Sequence, residues 1–387
     1  MTKCPRKSAC AVDAVTVAKD SSDDGDWKGQ DKMKKLMMVV AALASGWCMA
    51  AGKARVNTAD YDWIDGRTLT IEGRGFDVKE EPYVRIPSRF ADKVPGPVMS
   101  MGRQSTGLNF RFRTTSRKLV FRWKIQPSAW TDPLIPPSGL QSIALWSQAD
   151  GGAWDFVAKA HPTKEGDNEL SRGWDPSRLG LVYLPIRAEV LSFEVGIEKG
   201  KRLDVVPRNP ADRIVHYGTS IVHGGCVSQP GMMFTSFMGR ILDREVVNLG
   251  FSGNGKMEPE MADLLAEIDA ALYIVDCDWN MDVNLQKERY EPFVRKLHAL
   301  RPKTPILLCG GCTTQKSPRS QEVYARSVYD KLKAENPTAW SNLHFLSGVG
   351  QLPFESYATH DHCHPNDFGS PHMGKAYADA VARILGK

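Results

Sequence analysis

The sequence predicts an all-β sandwich or jelly-roll domain followed by a three-layer α/β/α domain built on a parallel sheet. Three observations predict it. Between about residues 68 and 206 apolar side chains alternate with period two, the rhythm of half-buried strands. From about residue 212 onward, short apolar runs alternate strictly with segments of helical period, as a parallel sheet covered on both faces requires. The length, 387 residues, suits about two domains.

The chain opens on 32 polar residues with acid clustered in "SSDDGD", a composition expected to stay disordered. "MKKLMMVVAALASGWCMAAGKA" follows from Met33, with two lysines, an apolar core from Leu36 to Leu43 and small residues near Ala50 and Ala51. This is the layout of a secretory signal peptide, 33–51, and is too short for a membrane span with ordinary flanks. A signal must lead its chain, so Met33 is the expected start and residues 1–32 an over-extended reading frame. The expected location is secreted or periplasmic. Trp47 is bulky where a small residue would precede a lipidated cysteine, which argues against an anchor at Cys48.

The β-domain is expected over 57–206. "NFRFRTT" sets Phe110 and Phe112 on one face and Arg111 and Arg113 on the other. "LVFRWKI" alternates Leu119, Phe121, Trp123 and Ile125 against Val120, Arg122 and Lys124. "SIALWSQADGGAWDFVAKA" reads as a hairpin turning at Gly151-Gly152, and "LVYLPI" and "LSFEVGI" add strands. No Ser/His/Asp grouping here resembles a site, so this domain is expected to shape the pocket or its access; its lone histidine is His161.

The second domain is expected over 209–387. Its strands are "RIVHY", "EVVNL", "ALYIVD", "TPILLC" and "LHFLS". Its helices are "GMMFTSFMGRILDR", "PEMADLLAEIDA", "KERYEPFVRKLHAL", "SQEVYARSVYDKLKAEN" and "HMGKAYADAVARILGK". A formal charge of +5 with no dense basic patch gives no case for nucleic acid. Five cysteines lie beyond the signal: Cys226, Cys277, Cys309, Cys312 and Cys363. An exported chain can pair some, but an odd number leaves at least one free. "CGGC" at 309–312 follows an apolar run instead of opening a helix, so it reads as structural, not redox.

The first three parallel strands run into Ser220, Gly250 and Asn280, spaced 30 residues apart. That spacing places all three at the carboxyl edge of the sheet, where α/β proteins bind ligands. "HDHCHPND" supplies Asp361 and His364 before the last helix. These types fit acyl transfer. A serine hydroxyl needs a base within reach; His364 can serve, with Asp361 orienting its other nitrogen. The Ser220 amide, the Gly250 amide and the Asn280 side chain would form the oxyanion hole. "GTSIVHGG" has neither the dinucleotide glycine pattern, nor a P-loop lysine, nor the G-x-S-x-G elbow. "HDHCH" carries zinc-ligand types, but neighbours in an extended loop point alternately, so no metal is expected. His223 is a second candidate base, His216 a core histidine. Trp279, Asn254 and His362 are candidate substrate contacts, with Lys256 and Trp130 beside them.

The segment from Asn209 to Lys387 resembles the SGNH (GDSL-like) hydrolases. "GTSI" stands at the nucleophile block with Thr219 in place of aspartate, Gly250 and Asn280 at the two oxyanion blocks, and "DHCHPND" at the acid–base block. "DWNM" replaces the Gly-x-Asn-Asp of the third block. "NLGFSGNG" and "QPGM" resemble a bacterial branch with an N-terminal β-domain; of its Gly-x-Asp-Leu-Tyr motif "SIALWS" keeps Leu145 and an aromatic, Trp146. The resemblance implies an exported serine esterase that removes short acyl groups, acetyl above all, from carbohydrate through an acyl-enzyme on Ser220, without cofactor. The alternatives are a carbohydrate O-acyltransferase on the same site, or a glycan-binding protein with an inert hydrolase half. Oligomeric state is not legible.

Overall fold

The structure is a computed structural model and describes residues 56–126, 135–160, 162–163 and 167–386. The signal-like stretch 33–51, Cys48, Trp130 and His161 lie outside the described residues. Residues 56–387 form one compact unit.

Nine strands come first: β1 (Tyr61–Asp65), β2 (Asn109–Thr114), β3 (Lys118–Ile125), β4 (Ala144–Gln148), β5 (Trp154–Lys159), β6 (Asp167–Gly173), β7 (Leu179–Tyr183), β8 (Val190–Glu198) and β9 (Leu203–Val205). They make two antiparallel sheets, ordered β1-β8-β3-β6 and β5-β4-β7-β2-β9. The alternating apolar residues meet between the sheets: Phe110, Phe112, Phe121, Trp123, Phe193 and Val195 are all buried in one cluster. Each such side chain contributes about 1.5–3 kcal/mol by leaving water. The β4–β5 hairpin turns at Ala149–Gly152, where Gly152 donates to the Ala149 carbonyl. Arg111 departs from the alternation: it is buried, because it reaches out of the sandwich to Asp243 (2.5 Å). Two short helices, Gly96–Gly102 and Pro137–Leu140, interrupt the strands; neither is long enough to leave a helical period.

Five parallel strands follow: β10 (Ile214–Gly218), β11 (Val246–Gly250), β12 (Leu272–Asp276), β13 (Ile306–Cys309) and β14 (Leu343–Leu346). Their order is β11-β10-β12-β13-β14. The first four are buried at every position. Helices Phe234–Leu242 and Gly369–Leu385 pack together on one face; Pro259–Ala266, Val283–Leu300 and Ser320–Glu335 pack in series on the other. Val283–Leu300 begins earlier than its period suggests, capped by Asp282, whose carboxylate accepts from the Leu285 amide. No helix among the described residues is long and apolar enough to cross a membrane.

The two parts share buried polar contacts. Arg208 pairs with Glu72 at 2.5 Å, both almost fully buried. Gly73 donates its amide to Glu245 at 2.8 Å. These ties bring the segment 83–106 against the carboxyl end of β11, and that contact positions the site.

Candidate active site

β10 pairs in register with β11 and β12, so Gly218 lies beside Gly250 and Asp276. The chain turns sharply after Gly218, and Ser220 sits in that turn, half-buried. Its hydroxyl donates to His364 Nε2 at 2.6 Å. His364 Nδ1–H donates to Asp361 Oδ2 at 2.7 Å. Asp361 Oδ1 accepts from the backbone amides of His364 (2.8 Å) and Cys363 (3.1 Å). His362 takes a left-handed conformation (φ 63°), which folds Asp361 back onto the imidazole. Partial burial works against the Asp361 charge. The His364 amide and ring and the Cys363 amide together outweigh it, so the carboxyl titrates below its ordinary value. The three side chains thus form the connected chain of nucleophile, base and orienter needed to activate a hydroxyl.

The expectations for the oxyanion side need one correction. The Gly250 amide is already engaged: it donates to Asn248 Oδ1 at 3.0 Å. Nor is Gly250 glycine so that a ligand can approach. A Cβ there would stand 2.1 Å from the His223 amide nitrogen, so the close neighbour is the nucleophile turn itself. The next turn offers a different donor. Gly253 is exposed with φ +70°, and its amide, like that of Ser220, meets no acceptor among the described residues. The signal was present in "NLGFSGNG", where the second glycine stands in the turn beyond the strand end. Asn280 lies in a 3-10 turn after β12. One of its amide protons goes to the Asn254 carbonyl (2.5 Å), joining two of the loops that surround Ser220.

Asn248 was missed. It is the polar residue of an otherwise apolar strand, fully buried, and its amide donates to the Val222 carbonyl (2.6 Å) and Thr235 Oγ1 (3.1 Å). It therefore fastens β11 to the nucleophile turn.

The remaining candidates divide. Trp279 is not an open platform: the Arg319 guanidinium stacks 3.5 Å from its ring centre and its Nε1 donates to the Cys312 carbonyl. The Asn254 side chain turns back to the Ser252 carbonyl, and Lys256 donates its amide to Glu258. His362 and His360 are exposed beside the base. His223 is no alternative base: it is fully buried against Arg85 and Ser252, and burial with two neighbouring arginines holds it neutral. His216 is buried as expected, but neither ring nitrogen finds a hydrogen bond among the described residues; Asp276 lies 3.6 Å away.

Asp361, Cys363 and His364 place three potential metal donors within 4.8 Å of one another. The carboxylate and imidazole are turned to each other and to Ser220, so an ion would have to displace those bonds. Burial pushes the Cys363 thiol up to about 12, and metals bind the thiolate. Cys309 is the last residue of β13 and Cys312 lies buried in the loop after it, not at a helix start. Cys277, Cys309, Cys312 and Cys363 are thiols, not disulfides.

Comparison with known proteins adds the family. A profile described as "GDSL-like Lipase/Acylhydrolase family" matches residues 211–386. A second, described as "N-terminus of Esterase_SGNH_hydro-type", matches 61–203. No curated protein matches the sequence significantly. Among solved structures, a GDSL-like protein from Bacteroides ovatus is 27% identical with a TM-score of 0.75, over 84% of this chain and 98% of that one. A salicylyl-acyltransferase from a tetracycline biosynthetic pathway (19%, TM-score 0.64, 85% and 98%) and a family two carbohydrate esterase from Cellvibrio japonicus (11%, 0.55, 84% and 98%) share the fold.

Proposed function

The chain belongs to the SGNH (GDSL-like) hydrolases, in the branch with an N-terminal β-domain, and from that premise we propose that it is a serine esterase that removes short acyl groups, acetyl above all, from carbohydrate. The observation that carries the reading is the unbroken chain Ser220 Oγ–His364 Nε2, His364 Nδ1–Asp361 Oδ2, at 2.6 and 2.7 Å. In the first step Ser220 Oγ bonds to the ester carbonyl carbon while His364 Nε2 takes the hydroxyl proton. The tetrahedral oxyanion takes hydrogen bonds from the Ser220 and Gly253 amides and the second amide proton of Asn280. The C–O bond to the sugar breaks, and His364 returns its proton to the departing alcohol. Water then attacks the acyl carbon as His364 takes its proton; the acyl–Oγ bond breaks, His364 returns the proton to Ser220 Oγ, and the carboxylic acid leaves. The base works only as neutral imidazole.

The exposed side of the base, with Asp361 and His362 at the surface, suits an ester carried on a large substrate. The carbohydrate esterases that share the fold support a sugar as that substrate. The chemistry needs no cofactor. The signal-like segment supports export.

The test is hydrolysis of p-nitrophenyl acetate followed by a screen of acetylated glycans, with release of acetate as readout. Hydrolysis that Ser220→Ala abolishes supports the reading. A folded wild-type protein without activity on any ester would leave the inert glycan-binding alternative. Transfer of acetyl to an added sugar in preference to water would make it an acyltransferase.

A further inference from the structure

We infer that Arg85, carried by the segment that follows the first strand of the β-part, is a positioning residue that fixes the oxyanion turn of the α/β part. The inference rests on the serine-esterase reading above.

Arg85 is fully buried. A buried guanidinium without a carboxylate is costly, and it persists only where its donors are satisfied. Four of its acceptors are backbone carbonyls. Nε donates to Gln104 O at 3.0 Å and Nη2 to Met101 O at 2.6 Å, which fix the side chain to its own part of the fold. Nη1 crosses to the other part and donates to Asn248 O (3.1 Å) and Gly250 O (2.8 Å). The guanidinium also lies 5.0 Å from the centre of the Phe251 ring. Burial, and the nearby Arg187, lower its pKa to about 9, so it stays charged at neutral pH.

The grip extends by one side chain. Arg85 has no acceptor atom, so His223 Nε2 accepts from it at 3.3 Å. On the far side of the ring, Nδ1 meets the Ser252 amide N–H at 3.3 Å and Ser252 Oγ at 3.1 Å. Arg187, also from the β-part, donates to the same oxygen at 2.6 Å. Asn248, Gly250, Phe251 and Ser252 are therefore held in succession, and the next residue is Gly253. His223 itself lies three residues after Ser220, so one guanidinium touches both the nucleophile turn and the oxyanion turn. A displacement of about 1 Å at such a donor can lower a rate roughly 10²-fold.

The test compares Arg85→Lys, Arg85→Met and Ser252→Ala with the wild type, using kcat per active site titrated with a fluorophosphonate, KM, and affinity for a boronic acid that forms a tetrahedral adduct on serine. In Arg85→Met, kcat and boronate affinity should fall together, by about 10²-fold, with KM near the wild-type value. Arg85→Lys should recover part of both. Ser252→Ala, a half-buried turn substitution, should show a smaller loss of the same kind. A merely structural role would reduce titratable sites without changing kcat per site. Wild-type kcat per site in Arg85→Lys and Ser252→Ala would overturn the inference, even if Arg85→Met does not fold. Failure of the esterase reading is separate: it would appear as activity that survives Ser220→Ala.

Discussion

Two loops face Ser220, and they are built oppositely. The loop carrying Asp361 and His364 is at the surface and is held mainly by its own hydrogen bonds: His364 to Asp361, Cys363 to Asp361, His360 to the His364 carbonyl. The turn after β11 is backed by a fully buried arginine, a fully buried histidine and a fully buried asparagine. The difference follows from what each would do in the proposed mechanism. A base must exchange protons with water and substrate, so it sits where both can reach it. An oxyanion donor must not reorganise when charge develops, so its backbone is fixed from behind.

The largest effects are expected on the exposed loop and its target. Ser220→Ala and His364→Ala should each lower kcat roughly 10⁵-fold or more, because triad members act as a unit. Asp361→Asn should cost less, about 10⁴-fold, since base and oxyanion donors remain. Steady-state kinetics on p-nitrophenyl acetate checks all three. Equal and small losses would place the chemistry elsewhere.

On the oxyanion side, Asn280→Ala should lower kcat about 10²–10³-fold with little change in KM. Gly253→Ala strains a left-handed turn and should also lower kcat. A boronate-adduct structure with the oxyanion on the Gly250 amide and not on Gly253 would contradict this assignment.

His360→Ala and His362→Ala should leave the rate nearly unchanged, and so should a chelator. Stoichiometric zinc whose removal abolishes activity and whose return restores it would replace the serine mechanism by a metal one.

The smallest effect is a pH effect on stability. Asp361 has a lower pKa in the fold than an ordinary aspartate. Its stabilisation is therefore complete above about pH 4, the unfolded value, and is lost as pH falls through the depressed folded one. Thermal melts of wild type and Asp361→Asn should differ at neutral pH and converge in acid. A gap that persists in strong acid would mean the carboxylate is not what stabilises the loop.

What the sequence made legible follows from which contacts are local. The strand–helix alternation, the period-two sandwich and the Asp361–His364 pair are short-range patterns, and each is present in the structure. The destination of the Gly250 amide was not legible, because it depends on Asn248 turning back onto its own strand end. Arg85 was invisible for a stronger reason: its partners, Asn248 and Gly250, lie more than 160 residues away. Arg111 looked like a solvent-facing residue for the same cause, since Asp243 is supplied by the other part of the fold. Trp279 reads as a candidate substrate contact, but Arg319, from another loop, lies over its face.

A covalent acyl-enzyme on Ser220 can be caught by mass spectrometry of protein quenched in acid during turnover of an acetyl ester. An acetyl group is expected on the peptide containing Ser220, absent in Ser220→Ala and accumulating in Asp361→Asn if deacylation slows more than acylation. Turnover with no modified serine in any variant, or with the acetyl group on another residue, would contradict it.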